Sequence, residues 1–244
     1  MDFSSRSYEK ELLDRNDIPF DAIERNMHEL DIINTYLGGH SITIDGLRHL
    51  VGSRNEISIC EIGCGGGDNL LALQKWCARK NIAVRSMGID INPDCIQTAR
   101  SKADNEDSVF VVSDYKEYQF EKKPDIIFSS LFCHHFTNEE LIMMVRWMES
   151  NSKIGFFIND LHRHALAYHS IKLLTGIFSK SYLVKNDAPL SVRRSFVRKD
   201  WEEIFRSAGV SSYSIEWKWA FRWLIVSKIF HETSNEKNRP RAQS

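Results

Sequence analysis

The parts of this sequence that could do chemistry are a glycine-rich turn, acidic residues at its flanks and downstream, and a crowd of histidines between positions 134 and 169. In Cys60-Glu61-Ile62-Gly63-Cys64-Gly65-Gly66-Gly67-Asp68-Asn69 the backbone must turn tightly and let a ligand approach, which a Cβ would obstruct. Gly63, Gly65 and Gly67 give that freedom around Cys64, and Asn69 opens the segment that follows. Asp90, at the end of Met87-Gly88-Ile89-Asp90-Ile91-Asn92, can accept both hydrogen bonds of a ribose diol. Asp114, in Val111-Val112-Ser113-Asp114-Tyr115, can accept from an adenine amino group while Tyr115 stacks on the ring. Together these residues suit a nucleoside.

Such residues need a sheet to carry them. Short apolar runs at Ile57–Ile62, Ala83–Ile89, Ser108–Val112, Pro124–Ser129 and Lys153–Ile158 read as strands. Helical spacing fits Asn69–Arg79, Pro93–Ala103 and Asn138–Ser150 between them, and a further helix fits Lys199–Ala208, stopped by Gly209. The alternation predicts a doubly wound, mostly parallel seven-stranded α/β sheet, closed by an antiparallel hairpin from Tyr213–Trp219 and Arg222–Ile229. The chemistry-bearing acids then share the carboxyl edge of that sheet, where open α/β sheets bind ligands. Residues 1–55 read as a helical flap that either packs or acts as a lid, residues 56–230 as the core, and 161–198 as a helical cap insert. Residues 231–244, with alanine their only apolar type, read as a disordered tail.

From Ile57 to Asp160 the chain resembles the class I, Rossmann-like S-adenosylmethionine-dependent methyltransferases of small-molecule type. Their motif E/D-x-G-x-G-x-G is matched by Glu61, Gly63, Gly65 and Gly67. The resemblance implies S-adenosylmethionine as cofactor, with Cys64 and Asn69 in the loop region, Asp90 and Ile91 at the ribose, Asp114 and Tyr115 at the adenine, and Ser130 and Leu131 behind the methionine moiety. A nicotinamide dehydrogenase is the rival reading. Its G-x-G-x-x-G/A loop would need a small residue where Asp68 stands, and that carboxylate would repel a pyrophosphate. A nucleoside-binding scaffold without activity is the reading outside enzymology.

Methyl transfer from a sulfonium is an in-line displacement, so positioning and exclusion of water carry much of the catalysis. A hydroxyl acceptor also benefits from a base, and imidazole is suited to that near neutral pH. His135 is the first choice and His134 the second, in the turn Leu131-Phe132-Cys133-His134-His135-Phe136. In Asn159-Asp160-Leu161-His162-Arg163-His164, Asp160 or His162 could bind or deprotonate the acceptor and Arg163 could pair with an acidic one. His164 and Tyr168 join Arg163 as candidate substrate contacts. No metal is expected: there is no C-x-x-C pair, and Asn159 with Asp160 supplies too few ligands. The insert offers Tyr168, Ile171, Leu173, Leu174, Ile177 and Phe178 to wall an apolar pocket. Its six basic residues between Lys180 and Asp200, against two acids, form either a solvated face or a seat for a carboxylate, phosphate or carrier-protein surface. An aromatic, polyketide or quinone-like metabolite is the expected acceptor, as in secondary metabolism; a protein or RNA acceptor is the alternative.

Net charge of -1 and five cysteines in 244 residues exclude a globally basic nucleic-acid binder and a disulfide framework. The first residues lack a signal-peptide apolar run and no stretch could span a bilayer, so a cytoplasmic enzyme without membrane or nucleic-acid partners is expected. Oligomeric state is not legible.

Overall fold

The computed structural model describes residues 2–15, 17–102 and 108–229. At its centre lies β1 (Glu56–Ile62), whose alternation sends Ile57 and Ile59 to one apolar layer and Cys60 and Ile62 to the other. Around it the sheet runs β3 (Ser108–Val112), β2 (Ala83–Asp90), β1, β4 (Ile126–Ser130), β5 (Gly155–Leu161), β7 (Arg222–Lys228), β6 (Tyr213–Lys218). The first five strands pair in parallel, and β7 is antiparallel to both β5 and β6. This is the seven-stranded sheet with a terminal hairpin expected from the sequence. Every residue of β4 is buried, as a strand covered on both faces must be.

Helices α2 (Gly39–Val51) and α3 (Asp68–Arg79) cover one face; α5 (Asn138–Asn151) and α8 (Arg198–Ala208) cover the other. Thr137 caps α5, accepting from the Glu140 amide while the Glu140 side chain accepts from the Thr137 amide. Asn92 caps α4 (Pro93–Ser101) directly after Asp90, which holds the acid at a fixed strand-to-helix corner. The expected last residue of that helix, Ala103, lies outside the described residues, as does the expected tail.

In the N-terminal region the chain departs from expectation. Helix α1 (Phe20–Tyr36) and α2 are helical as predicted, separated at Gly38 with φ +77°, but the described residues before Phe20 form only a 3-10 turn at Leu12–Asp14. That segment is tied down by distant side chains: Asp187 accepts from the Leu12 and Leu13 amides, and Arg163 donates to the Phe3 carbonyl. The insert forms α6 (Ala165–Phe178) and α7 (Tyr182–Arg194), packed on each other. Tyr168 faces inward, but Leu173, Leu174, Ile177 and Phe178 are exposed and do not wall an internal pocket. No helix among the described residues is long and apolar enough to cross a membrane.

Candidate active site

The glycine loop leaves β1 with Gly63, Gly65 and Gly67 at φ +66°, +50° and +74°. A Cβ on Gly63 would lie 2.2 Å from the Phe132 ring, so the loop needs both the backbone freedom and the missing atom. Cys64 is buried, and its sulfur packs where Gly88 has no side chain. Asp90 accepts from the Gly65 and Asn92 amides, both at 2.9 Å. Lone pairs remain on each carboxylate oxygen for a diol. Burial raises its pKa against the pull of those amides. Beside it Ile91 is 70% exposed, an apolar face at the rim. Asp114 accepts from the Lys116 amide.

Tyr115 departs from its expected role. Its ring is buried edge-on against Phe132, Phe136 and Trp147, so it props the turn after β4 and offers no open face to a base. Above the loop, Met27 of α1 sits 3.3 Å from where a Gly65 Cβ would be, so the first helix roofs the site.

Beneath the loop lies a buried polar network. Asn69 donates to Glu61 Oε1 at 3.0 Å, Thr43 bonds the Asn69 oxygen, and the Asn159 amide donates to the Thr43 and Ser130 hydroxyls and the Gly39 carbonyl. The Leu131 amide donates to the Asn159 carbonyl. Arg222 joins through Asn34, to which it donates at 2.9 Å alongside Gly39. Glu61 and Asn159 point to one face of the sheet, because Glu61 pairs with Phe128, Phe128 with Phe157, and Asn159 lies two residues beyond. Arg222 pairs with Leu161, two further on, and shares that face.

Among the described residues, Glu61 Oε2, Asn159 Oδ1 and Arg222 Nε and Nη1 are buried without hydrogen-bond partners. Leaving such groups unmet costs about 1–3 kcal/mol each. Two acceptors and a two-pronged cationic donor are what the ammonium and carboxylate of an amino-acid moiety require. Burial drives the Glu61 pKa well up, and takes Arg222 down to about 10. The residues therefore fit S-adenosylmethionine, nucleoside at Asp90 and Ile91, amino-acid end at Glu61, Asn159 and Arg222.

On the opposite face, the turn after β4 carries a second cluster. His134 Nδ1 lies 2.8 Å from Asp160 Oδ1, and His135 Nδ1 lies 3.2 Å from Asp14 Oδ1. Both Nε2 atoms turn to Glu11, at 3.6 and 3.8 Å. Burial works against a charged His135, but its hydrogen bond to the Asp14 carboxylate and the field of Glu11 overcome it and raise its pKa. Burial likewise opposes a charged Asp160, yet His134 holds its pKa below the usual value. Arg194 donates to the carbonyls of His134 and His135, and Arg6 to that of Phe136, so two guanidinium groups fix the turn. His135, with a side chain 22% exposed, is the open member and acts electrostatically on Asp90.

Other candidates fall outside this convergence. Arg163 is not free for an acidic substrate: it is 3% exposed and donates to Asp200 and to the carbonyls of Ser195, Phe3 and Ser4. His162 accepts from Trp217 Nε1 and packs against Trp223; burial takes its pKa down to about 4. His164 caps α6 through its own side chain, and Tyr168 is buried against Phe3. Asn159 and Asp160 point to opposite faces of the sheet, Asp160 toward His134, so they are no ligand pair. Arg193, Arg194, Arg198 and Lys199 pair with Glu9, Asp14, Glu202 and Glu203, so most of the basic run is neutralised. Sequence reasoning missed Glu11, Asp14, Asn34, Thr43 and Arg222, none of which stands in a local motif, and placed Arg194 only within the basic run.

A family model described as "Methyltransferase domain" matches residues 59–155. Malonyl-[acyl-carrier protein] O-methyltransferase 1 of Ilyobacter polytropus is 35% identical over 80 residues, or 32% of this chain and 28% of that protein. The chain thus aligns with little more than a quarter of that relative's length. Among solved structures, the plantazolicin methyltransferase BpumL in complex with SAH superposes with a TM-score of 0.62 at 18% identity, over 86% of this chain and 88% of that one. Magnesium protoporphyrin IX methyltransferase from Synechocystis, with bound SAM, gives 0.56 at 15%, over 87% and 92%. Human N-acetylserotonin methyltransferase gives 0.60 at 16%, over 86% and 56%. At such identities the likeness is one of fold.

Proposed function

We propose that this chain, whose residues 59–155 match a methyltransferase domain and whose sheet has the Rossmann-like order, transfers a methyl group from S-adenosylmethionine to a small-molecule acceptor. The observation that carries the reading is the set of buried, unpartnered polar atoms on Glu61, Asn159 and Arg222 directly under a glycine loop that ends beside Asp90. A nicotinamide cofactor has no ammonium-and-carboxylate end to satisfy them.

When bound, S-adenosylmethionine supplies a methyl group activated by its sulfonium. Asp90 holds the ribose hydroxyls and Ile91 covers the adenine. Glu61 and Asn159 accept from the ammonium, Arg222 clasps the carboxylate, and Ser130 with Leu131 backs the chain between them. Helix α1 and the segment before it exclude water. The acceptor sits by the turn after β4, where the Glu11–His134–His135 cluster takes its proton and His135 is the most accessible group. A hydroxyl or carboxyl acceptor suits this arrangement, because each must lose a proton to become a good nucleophile. The names of the related proteins, acting on a carrier-bound malonyl group, a peptide, a porphyrin and N-acetylserotonin, agree with a soluble metabolite or a carrier-bound one. The neutralised basic run favours the free metabolite.

Calorimetry with S-adenosylhomocysteine, alongside methyl transfer to a panel of phenols and carboxylic acids, tests this. Asp90→Ala should weaken binding by roughly ten- to a hundredfold through loss of charge-assisted bonds. Absence of binding by the folded wild-type chain would refute the proposal.

A further inference from the structure

We propose that Glu11, His134 and His135 form a binding site for one divalent first-row transition-metal ion, zinc foremost. Their three donor atoms, one carboxylate oxygen and two imidazole nitrogens, lie within 4.8 Å of one another. The separations of 3.6 Å from His134 Nε2 to Glu11 Oε1 and 3.8 Å from His135 Nε2 to Glu11 Oε2 are too long for the hydrogen bonds that a plain polar network would form at about 2.7–3.2 Å, and place one imidazole beside each carboxylate oxygen. They lie close to the edge of a coordination shell: two ligands about 2.0–2.1 Å from a zinc ion at tetrahedral to trigonal angles stand roughly 3.3–3.6 Å apart.

The outer shell supplies an independent observation. A carboxylate only accepts, so Asp160 and Asp14 each require the proton on the imidazole Nδ1 that faces them. Metal binding displaces any second proton, and each neutral imidazole then turns its Nε2 lone pair toward Glu11, the carboxylate–histidine–metal arrangement that orients ligands and raises their basicity. Ser191 donates to Glu11 Oε1 at 2.7 Å and so sets the third ligand. Arg6 and Arg194 spend their donors on the carbonyls of the histidine turn and stiffen it. Two imidazoles and a carboxylate suit zinc, iron, cobalt or nickel better than magnesium or calcium, which prefer all-oxygen shells. Three protein ligands leave a fourth position open, as in catalytic rather than structural zinc sites.

The site stands on side-chain geometry alone; only its role rests on the methyl-transfer reading. In that role the ion would act as a Lewis acid on the acceptor oxygen, releasing its proton to solvent in place of imidazole base catalysis. It would also tie the N-terminal segment, through Glu11, across the sheet edge. This runs against the metal-free site expected from the sequence, where Glu11 lies far upstream of the histidines and completes no motif.

The full chain, stripped by chelator and dialysed, should bind one equivalent of Zn²⁺ by calorimetry, and Co²⁺ should give the visible bands of a low-coordinate N/O site. Glu11→Gln and His135→Ala should lose more than the ~10–100-fold that removal of an outer-shell partner costs, and Asp160→Asn should lose about that range. His49→Ala should bind like wild type. Zinc-edge X-ray absorption on the wild-type chain reads two imidazoles directly, so the proposal does not depend on the variants folding. Binding no tighter than about 0.1 mM, or equal affinity in folded Glu11→Gln and His135→Ala, would overturn it. S-adenosylhomocysteine affinity measured on the same samples separates the two proposals: the nucleoside site stands or falls on that titration, the ion site on the metal titration.

Discussion

Arg222→Met offers a way to tell a binding residue from a structural one, because the two roles move different observables. The guanidinium is 2% exposed and makes a single hydrogen bond, to Asn34, while Nε and Nη1 have no partner among the described residues. Relieving two unmet donors should return about 1–3 kcal/mol each, against about 1.5–3 kcal/mol lost with the charge-assisted bond to Asn34. A methionine fills most of the stem's volume. The free protein should therefore unfold at an unchanged or slightly higher denaturant midpoint. Binding of S-adenosylhomocysteine should fall by about ten- to a hundredfold, since the clasp on the carboxylate is gone. S-adenosylhomocysteine lacking its carboxylate should bind wild type and variant alike. A variant that is clearly destabilised yet binds the intact ligand normally would refute the reasoning, leaving Arg222 as a packing residue.

Gly63→Ala should cost stability as well as binding: a left-handed φ of +66° and a Cβ 2.2 Å from the Phe132 ring together amount to about 2–4 kcal/mol, read as a Tm lower by roughly 5–15 °C. An unchanged Tm would mean that Phe132 does not rest on the loop. His162 is held neutral, with its pKa near 4 against 6.5 for the free side chain, so the unfolded chain binds the extra proton between those values. Stability attributable to it should be present above about pH 6.5 and fade as pH falls toward 4, by roughly 1–2 kcal/mol once partial exposure is discounted. Urea unfolding of the wild type and His162→Gln at several pH values checks this; parallel pH dependence in both would contradict it.

The sheet and its glycine loop were legible because each rests on local pattern: apolar alternation in Glu56–Ile62, glycines at the turn, and an acid at the end of β2. The amino-acid subsite was half legible. Glu61 belongs to a motif, whereas Arg222 comes from the last strand and reads in sequence as an ordinary charge in a hairpin. Arg163 and Tyr115 misled for the same reason. Arg163 stands among polar residues at a strand end, but the unpaired carbonyls of Phe3, Ser4 and Ser195 converge on it and use up its donors. Tyr115 follows an acid, but three aromatic rings from other elements enclose it. Glu11 carried no signal, because its segment has little periodicity and is positioned by Asp187 and Ser191 of the distant α7.

The most direct measurement is a crystal structure with S-adenosylhomocysteine bound. It should show ribose hydroxyls on Asp90, the ammonium within hydrogen-bond distance of Glu61 Oε2 or Asn159 Oδ1, the carboxylate on Arg222, and the sulfur facing the turn that carries His134 and His135. A ligand whose ribose lies away from Asp90, or whose amino-acid end leaves Glu61, Asn159 and Arg222 unpartnered, would contradict it.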